Sequence, residues 1–176
     1  MLWKKKNFLI TGGTGFIGSA ITKYLIKNKY KVSVFDNNSR GKLNRLHEVA
    51  NKFVFINGDI RNIKKVSAAC KNKDVVIHLA YVNGTETFYK KPIEILDIAV
   101  KGIINVIESC IKNKIKELYI ASSSEVYQTP FTIPTKESEM LKIPDIYNPR
   151  YSYGGGKIIS ELLGIHYGKK FFKKLV

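Results

Sequence analysis

Tyr153 and Lys157 stand four residues apart around three glycines, in Tyr-Gly-Gly-Gly-Lys. On a helix, positions i and i+4 share a face, so a phenol and an ammonium at this spacing converge. A phenol titrates near ~10 in water, and an adjacent cation favours its phenolate, making a general base near neutrality. Three glycines inside a helix cost on the order of 3 kcal/mol against alanine. Close approach of another backbone or of a cofactor would offset that cost. The same residues also fit a loop in which Tyr153 merely packs. Upstream, Ala121-Ser-Ser-Ser-Glu-Val-Tyr127 follows a short apolar run. Hydroxyls at the carboxyl end of a central strand point into a crevice, where they can bind a substrate hydroxyl and orient a tyrosine. Capping and turn formation are their alternative use. Glu125 adds a carboxylate.

A second constellation lies near the amino terminus. Thr11 to Ser19 reads T-G-G-T-G-F-I-G-S, with glycines at 12, 13, 15 and 18. Gly12 permits a tight turn, Gly15 lets the backbone approach a pyrophosphate, and Gly18 lets helix and strand pack closely. The phosphates then meet the positive end of the following helix and its unpaired N–H groups. No Gly-Lys-Ser/Thr closes the motif, which excludes a P-loop. Asp36 ends the second apolar run, about the ~20 residues beyond the loop that a ribose-binding acid requires. A carboxylate there accepts from both ribose hydroxyls and repels a 2′-phosphate, favouring NAD over NADP. Arg40 and Lys42 follow closely and soften that preference. A turn built on Asp36 before Asn37-Asn38 is the alternative. Asp59, in Asn-Gly-Asp-Ile-Arg, stands where it could bind the adenine amino group with Ile60 beside the ring, or else cap a helix.

These groups need a scaffold. Apolar runs at Asn7 to Thr11, Lys31 to Phe35, Phe53 to Asn57, Asp74 to Leu79 and Glu117 to Ala121 read as strands. Helical periods fill Phe16 to Lys27, Leu43 to Ala50, Ile63 to Cys70, a long helix from Pro92 to Ile111, and Tyr153 to Tyr167. Tyr81 to Lys91 reads as a loop. Four of the five prolines fall between Pro130 and Pro149, so that segment is irregular. Alternation of strand and helix predicts a doubly wound α/β domain with a parallel, Rossmann-like sheet and helices on both faces. Phe171 to Val176 reads as a helix exit and the first two residues of a sixth strand, so the chain is expected to be a piece of a longer one.

Composition narrows the class. The chain has 176 residues, 44% hydrophobic and 25% charged, which suits one soluble domain spanning 1–176. No apolar stretch reaches the ~18 residues of a membrane span, and Phe8-Leu9-Ile10 is too short for a signal peptide. Cys70 and Cys110 make no disulfide framework, and the histidines lack metal spacing, so no metal is expected. Location is expected to be cytoplasmic. The net charge of +16 comes mostly from lysines scattered over helix faces. That describes a solvated surface rather than specific nucleic-acid binding, though it would draw an anionic substrate closer.

Together T-G-G-T-G-F-I-G-S, Asp36, Gly58-Asp59-Ile60, His78-Leu79-Ala80, S-S-S-E-V-Y at 122–127 and Y-G-G-G-K at 153–157 resemble the NAD-dependent epimerase/dehydratase family, the extended short-chain dehydrogenases/reductases. The resemblance implies a nucleotide-diphosphate sugar as substrate and NAD held by Gly12, Gly15, Phe16, Ile17, Gly18, Asp36, Asn37, Asp59, Ile60, Leu79, Ala80, Tyr153 and Lys157. It implies Ser123, Glu125, Tyr153 and Lys157 as the catalytic set. In such enzymes the tyrosine removes the proton of the sugar 4-hydroxyl while hydride passes to the nicotinamide, and the lysine lowers the tyrosine pKa and holds the ribose. A 4-epimer, a 4-keto-6-deoxy sugar or a pentose follows, and Glu125 leans away from a plain 4-epimerase. The resemblance also implies a homodimer through the 93–111 and 153–167 helices. Two departures stand out. Ala99 occupies a position where many members carry Asn, and the sugar-nucleotide domain that follows the Tyr-Lys helix in members is missing. An NAD-binding module without turnover is therefore the alternative function.

Overall fold

The computed structural model describes residues 6–176; Trp3, expected to pack, lies outside the described residues. β1 (Asn7–Thr11), β2 (Lys31–Asp36), β3 (Val54–Asn57), β4 (Val75–His78), β5 (Glu117–Ile120) and β6 (Lys174–Leu175) form one sheet in the order β3-β2-β1-β4-β5-β6. Every pairing is parallel, and β1 is flanked by β2 and β4, with Ile10 opposite both Val34 and Ile77. The chain winds outward from β1 in one direction, then returns to wind the other way from β4. Between β1 and β4 the two windings diverge, and a crevice opens at their carboxyl ends.

The apolar strands are near-continuous because both faces are covered. Neighbouring residues point to opposite sides. Leu9 joins Val76 and Leu118 in a core beneath α2 (Ile63–Cys70) and α5 (Ile103–Lys112). Ile10 joins Val34 in a second core beneath α1 (Phe16–Lys27) and the 3₁₀ segment Leu43–Val49. That segment is wound more tightly than the α-helix expected there.

The chain departs from the sequence reading in the second half. The expected loop at 81–91 contains a short helix, α3 (Thr85–Lys90), which buries Phe88 against Tyr153. The expected single helix from Pro92 is α4 (Pro92–Asp97), a π-helical turn (Ile98–Gly102) and then α5. The final helix, α6, extends over Tyr151–Phe171, longer at both ends than 153–167. The segment between Pro130 and Pro149 is irregular, and β6 pairs with β5 as the last residues implied.

Candidate functional site

The turn out of β1 needs its glycines. Gly12 has φ +72°, and a Cβ on it would lie 2.7 Å from the Ala80 nitrogen. A Cβ on Gly18 would overlap the Gly12 carbonyl oxygen and approach Gly13 Cα at 2.8 Å. The loop and the start of α1 therefore lie closer than any side chain allows. Gly15 is the N-cap of α1 and supplies no side-chain cap, so the first-turn N–H groups, with Phe16 and Ile17 beside them, face outward. Phe16 and Ile17 are exposed. This cradle fits the pyrophosphate of a dinucleotide.

Asp36 forms the expected turn and also binds the glycine loop. Its carboxylate accepts from Asn38 N at 2.8 Å, which is the turn, and from Thr14 N at 3.0 Å, which ties the glycine loop to β2. Asp36 lines the crevice with Gly12, Gly15, Asn37, Asp59, Ile60, Leu79 and Ala80. Arg40 lines it too. Asp59 does not cap a helix: Asn62 caps α2, accepting from Lys65 N at 3.1 Å. Arg61 grips Asp59 instead, donating from Nη2 at 2.6 Å and Nε at 3.0 Å, and holds its carboxyl below the usual range. Asn105 on α5 donates to the Ile60 carbonyl at 2.9 Å and fixes the floor of this end.

The β4 end is held by a buried pair. The Thr11 hydroxyl accepts from Leu79 N at 3.2 Å and Ala80 N at 3.3 Å and is hydrogen-bonded to His78 Nδ1, 2.7 Å away. Burial, and secondarily the charge of Lys157, push the His78 pKa down to about 3.

The expected catalytic residues come from three elements. Ser123 is the N-cap of the 3₁₀ turn Ser124–Val126 after β5, accepting from Glu125 N at 3.3 Å. Tyr153 and Lys157 lie on the first turns of α6, both buried. The helical arrangement replaces the loop alternative, and the glycines admit neighbours. A Cβ on Gly154 would lie 2.8 Å from the Glu125 carbonyl oxygen, and one on Gly156 would lie 2.6 Å from the Ala99 Cβ.

The electrostatics correct one expectation. Burial pushes the Tyr153 phenol above its ordinary value; the Ser123 hydroxyl draws it back, and the Glu125 charge adds to the rise. Lys157 does not lower it here, because its ammonium turns away. Nζ donates to the Ala121 carbonyl at 2.6 Å and sits 5.9 Å from the Tyr153 ring centre. Burial draws Lys157 down to about 8, against a smaller upward pull from Glu161.

Sequence reasoning overlooked Arg61, Thr14 and Tyr81. Arg61 was visible as the basic neighbour of Asp59. Tyr81, a bulky aromatic directly after His-Leu-Ala, lines the crevice and meets Tyr153 edge to face, with ring centres 5.1 Å apart.

A parallel sheet with a glycine cradle at its switch point and an acid ending β2 defines a Rossmann-like domain, here with a Tyr-Lys pair on the helix beside β5. The chain belongs to the NAD dependent epimerase/dehydratase family, whose pattern matches residues 8–174. It is 33% identical over 163 residues to a UDP-N-acetyl-alpha-D-glucosaminuronate decarboxylase of Bacillus cytotoxicus, a match covering 93% of this chain and 50% of that protein. It is 35% identical over 130 residues to an inverting UDP-N-acetylglucosamine 4,6-dehydratase of Campylobacter jejuni, covering 70% of this chain and 38% of that one. Its fold superposes on a UDP-glucose 4-epimerase of Brucella ovis in complex with NAD, with TM-score 0.84 and 26% identity over 96% of this chain and 50% of that one. The chain therefore spans about half the length of these relatives or less. No helix among the described residues is long and apolar enough to cross a membrane.

Proposed function

We propose that this protein is the cofactor-binding, proton-transferring part of an NAD-dependent enzyme that oxidises a nucleotide-diphosphate sugar transiently at C4. Residues 1–176 act as one NAD-binding domain. The observation that carries the reading is that Tyr81, which lines the glycine crevice, packs against both Tyr153 and Lys157, with the Ser123 hydroxyl beside the Tyr153 phenol. NAD bound in that crevice supplies an acceptor for the hydride of an alcohol carbon and returns it later. Gly12, Gly15 and Gly18 let the backbone approach the pyrophosphate, and the first-turn N–H groups beside Phe16 and Ile17 receive its charge. Asp36 and Asn37 serve the adenosine ribose, Asp59 and Ile60 the adenine, and Leu79 and Ala80 the inner wall.

Tyr153 takes the proton of the sugar hydroxyl, and Ser123 holds both oxygens in line. The raised Tyr153 pKa requires a cation for this step, and Lys157 provides it once its ammonium swings from the Ala121 carbonyl toward the phenol. Glu125 stands ready to move a second proton, taking it from C5 in dehydration or returning one to the carbon that loses carbon dioxide in decarboxylation, and this supports either outcome over simple epimerisation. The relatives named above act on UDP-sugars, which makes UDP the first nucleotide to test. Exposed Ile93, Leu96, Leu162 and Ile165 on α4 and α6 support a homodimer through these helices, which would read as twice the chain mass in light scattering. Buried Cys70 and Cys110 stay as thiols and suit the cytoplasm.

The test is incubation of the purified chain with NAD⁺ and a panel of UDP-sugars, with products read by mass spectrometry. The wild type is expected to form product and Tyr153→Phe to bind NAD⁺ without forming it. Equal turnover by both would overturn the role of Tyr153. NAD⁺ binding with no product from either favours the second reading, a binding module without turnover.

A further inference from the structure

Tyr81 leaves β4 at the lip of the crevice and points its phenol between two helical elements. The hydroxyl is buried without a hydrogen-bond partner. A Cβ on Gly156 would collide with that hydroxyl and with Ala99 Cβ. Gly156 on α6 and Ala99 in the π-helical turn thus leave, by their smallness, a slot that the phenol fills. An unpartnered buried hydroxyl destabilises the fold, so the benefit of Tyr81 lies in its ring. One edge of that ring meets the Tyr153 ring, and its face lies 4.1 Å from Lys157 Nζ.

Lys157 is enclosed on every side. Tyr153 and Glu161 come from its own helix, His78 from β4, the Ala121 carbonyl from the end of β5, and Tyr81 from the loop after β4. His78 is neutral, and the Glu161 carboxylate already takes a hydrogen bond from the Ser122 hydroxyl. Beside the Ala121 carbonyl and the charge of Glu161, the electron-rich face of Tyr81 is a further group that stabilises the charged ammonium.

We propose that Tyr81 is a positioning residue for Lys157: its ring face keeps the buried ammonium charged beside the Tyr153 ring. The inference rests on the reading of Lys157 as the cation of the site. Without the ring, an apolar wall would leave the desolvation of Lys157 in place and remove part of its compensation. The lysine would then lose its proton at lower pH, and a neutral amine neither assists the phenol nor holds a ribose as firmly.

The experiment is a pH titration of the Lys157 side chain by NMR in the intact chain labelled with ¹³C-lysine, its signal assigned by its loss in Lys157→Met. The wild-type midpoint is expected at about 8. Tyr81→Phe keeps the ring and is expected to leave the midpoint unchanged while raising the melting temperature. Tyr81→Leu is expected to lower the midpoint by about one pH unit. Site-specific 3,4,5-trifluorophenylalanine at 81 keeps the shape and weakens the face, so it serves if the leucine variant fails to fold, and is expected to lower the midpoint likewise. An unchanged or raised midpoint in the leucine and fluorinated proteins would overturn the proposal. NAD⁺ titration of the wild type runs alongside: failure to bind overturns the proposed function, whereas the lysine midpoints decide the role of Tyr81 on their own.

Discussion

Acidification should unfold this domain through one histidine. His78 is buried, hydrogen-bonded through Nδ1 to the Thr11 hydroxyl, and has its pKa pushed down to about 3. In the unfolded chain it titrates near ~6.5. The folded state therefore binds fewer protons between these values. Stability is complete above the unfolded pKa and is lost as pH falls toward the folded one. The whole window is worth roughly 5 kcal/mol, and the part between pH 7 and pH 4 about 3 kcal/mol. Against a net stability of ~5–15 kcal/mol for a domain, that loss is large. His78→Asn isolates it from the carboxylates, because the amide oxygen can accept from Thr11 and carries no titrating proton. Urea unfolding of both proteins at pH 7 and pH 4 gives the comparison. The variant should be less stable at pH 7, where it lacks the imidazole packing, and the gap should narrow by about 3 kcal/mol at pH 4. Parallel pH profiles, or a His78 NMR titration near ~6.5 in the folded protein, would refute the buried neutral pair.

Two further perturbations follow from the site. Gly18→Ala places a methyl against the Gly12 carbonyl, so it should cost roughly 1–3 kcal/mol in urea unfolding and abolish NAD⁺ binding; normal binding would remove the close-packing argument. Lys157→Met should raise stability at pH 7 by up to roughly 3 kcal/mol, since a lysine held at about 8 gains stability only as pH rises from there toward its unfolded value of 10.5. The gap between the two proteins should close across that window in urea unfolding, and a constant gap would contradict the depressed lysine.

What the sequence disclosed divides along physical lines. Strands such as Val75–His78 and the turn after Thr11 are legible because their signals are local: apolar runs covered on both faces, and glycines where the chain turns sharply. The helical state of Tyr153 to Lys157 is less so, because three glycines argue against it. The close neighbours that explain them, the Glu125 backbone at Gly154, Ile143 at Gly155 and Ala99 with Tyr81 at Gly156, are visible only in three dimensions. α3 escaped notice since Phe88 is buried by Tyr153, a partner far along the chain. The π-helical turn at Ile98–Gly102 changes the period within an otherwise regular stripe, which composition does not register. Likewise the i,i+4 spacing of Tyr153 and Lys157 could say that they share a face, but not that Lys157 would turn to Ala121 and leave the phenol raised.

The crevice between β1 and β4 is the centre of the account, and ligand binding to the folded state tests it most directly. A ligand that binds only the native protein raises its melting temperature in proportion to the logarithm of its concentration once above Kd. Titration of the purified chain with NAD⁺ and, separately, NADP⁺ should give a clear rise with NAD⁺ and a weaker one with NADP⁺, as the carboxylate of Asp36 opposes a 2′-phosphate. No rise with either dinucleotide in well-folded protein would contradict the assignment of this crevice as a cofactor site.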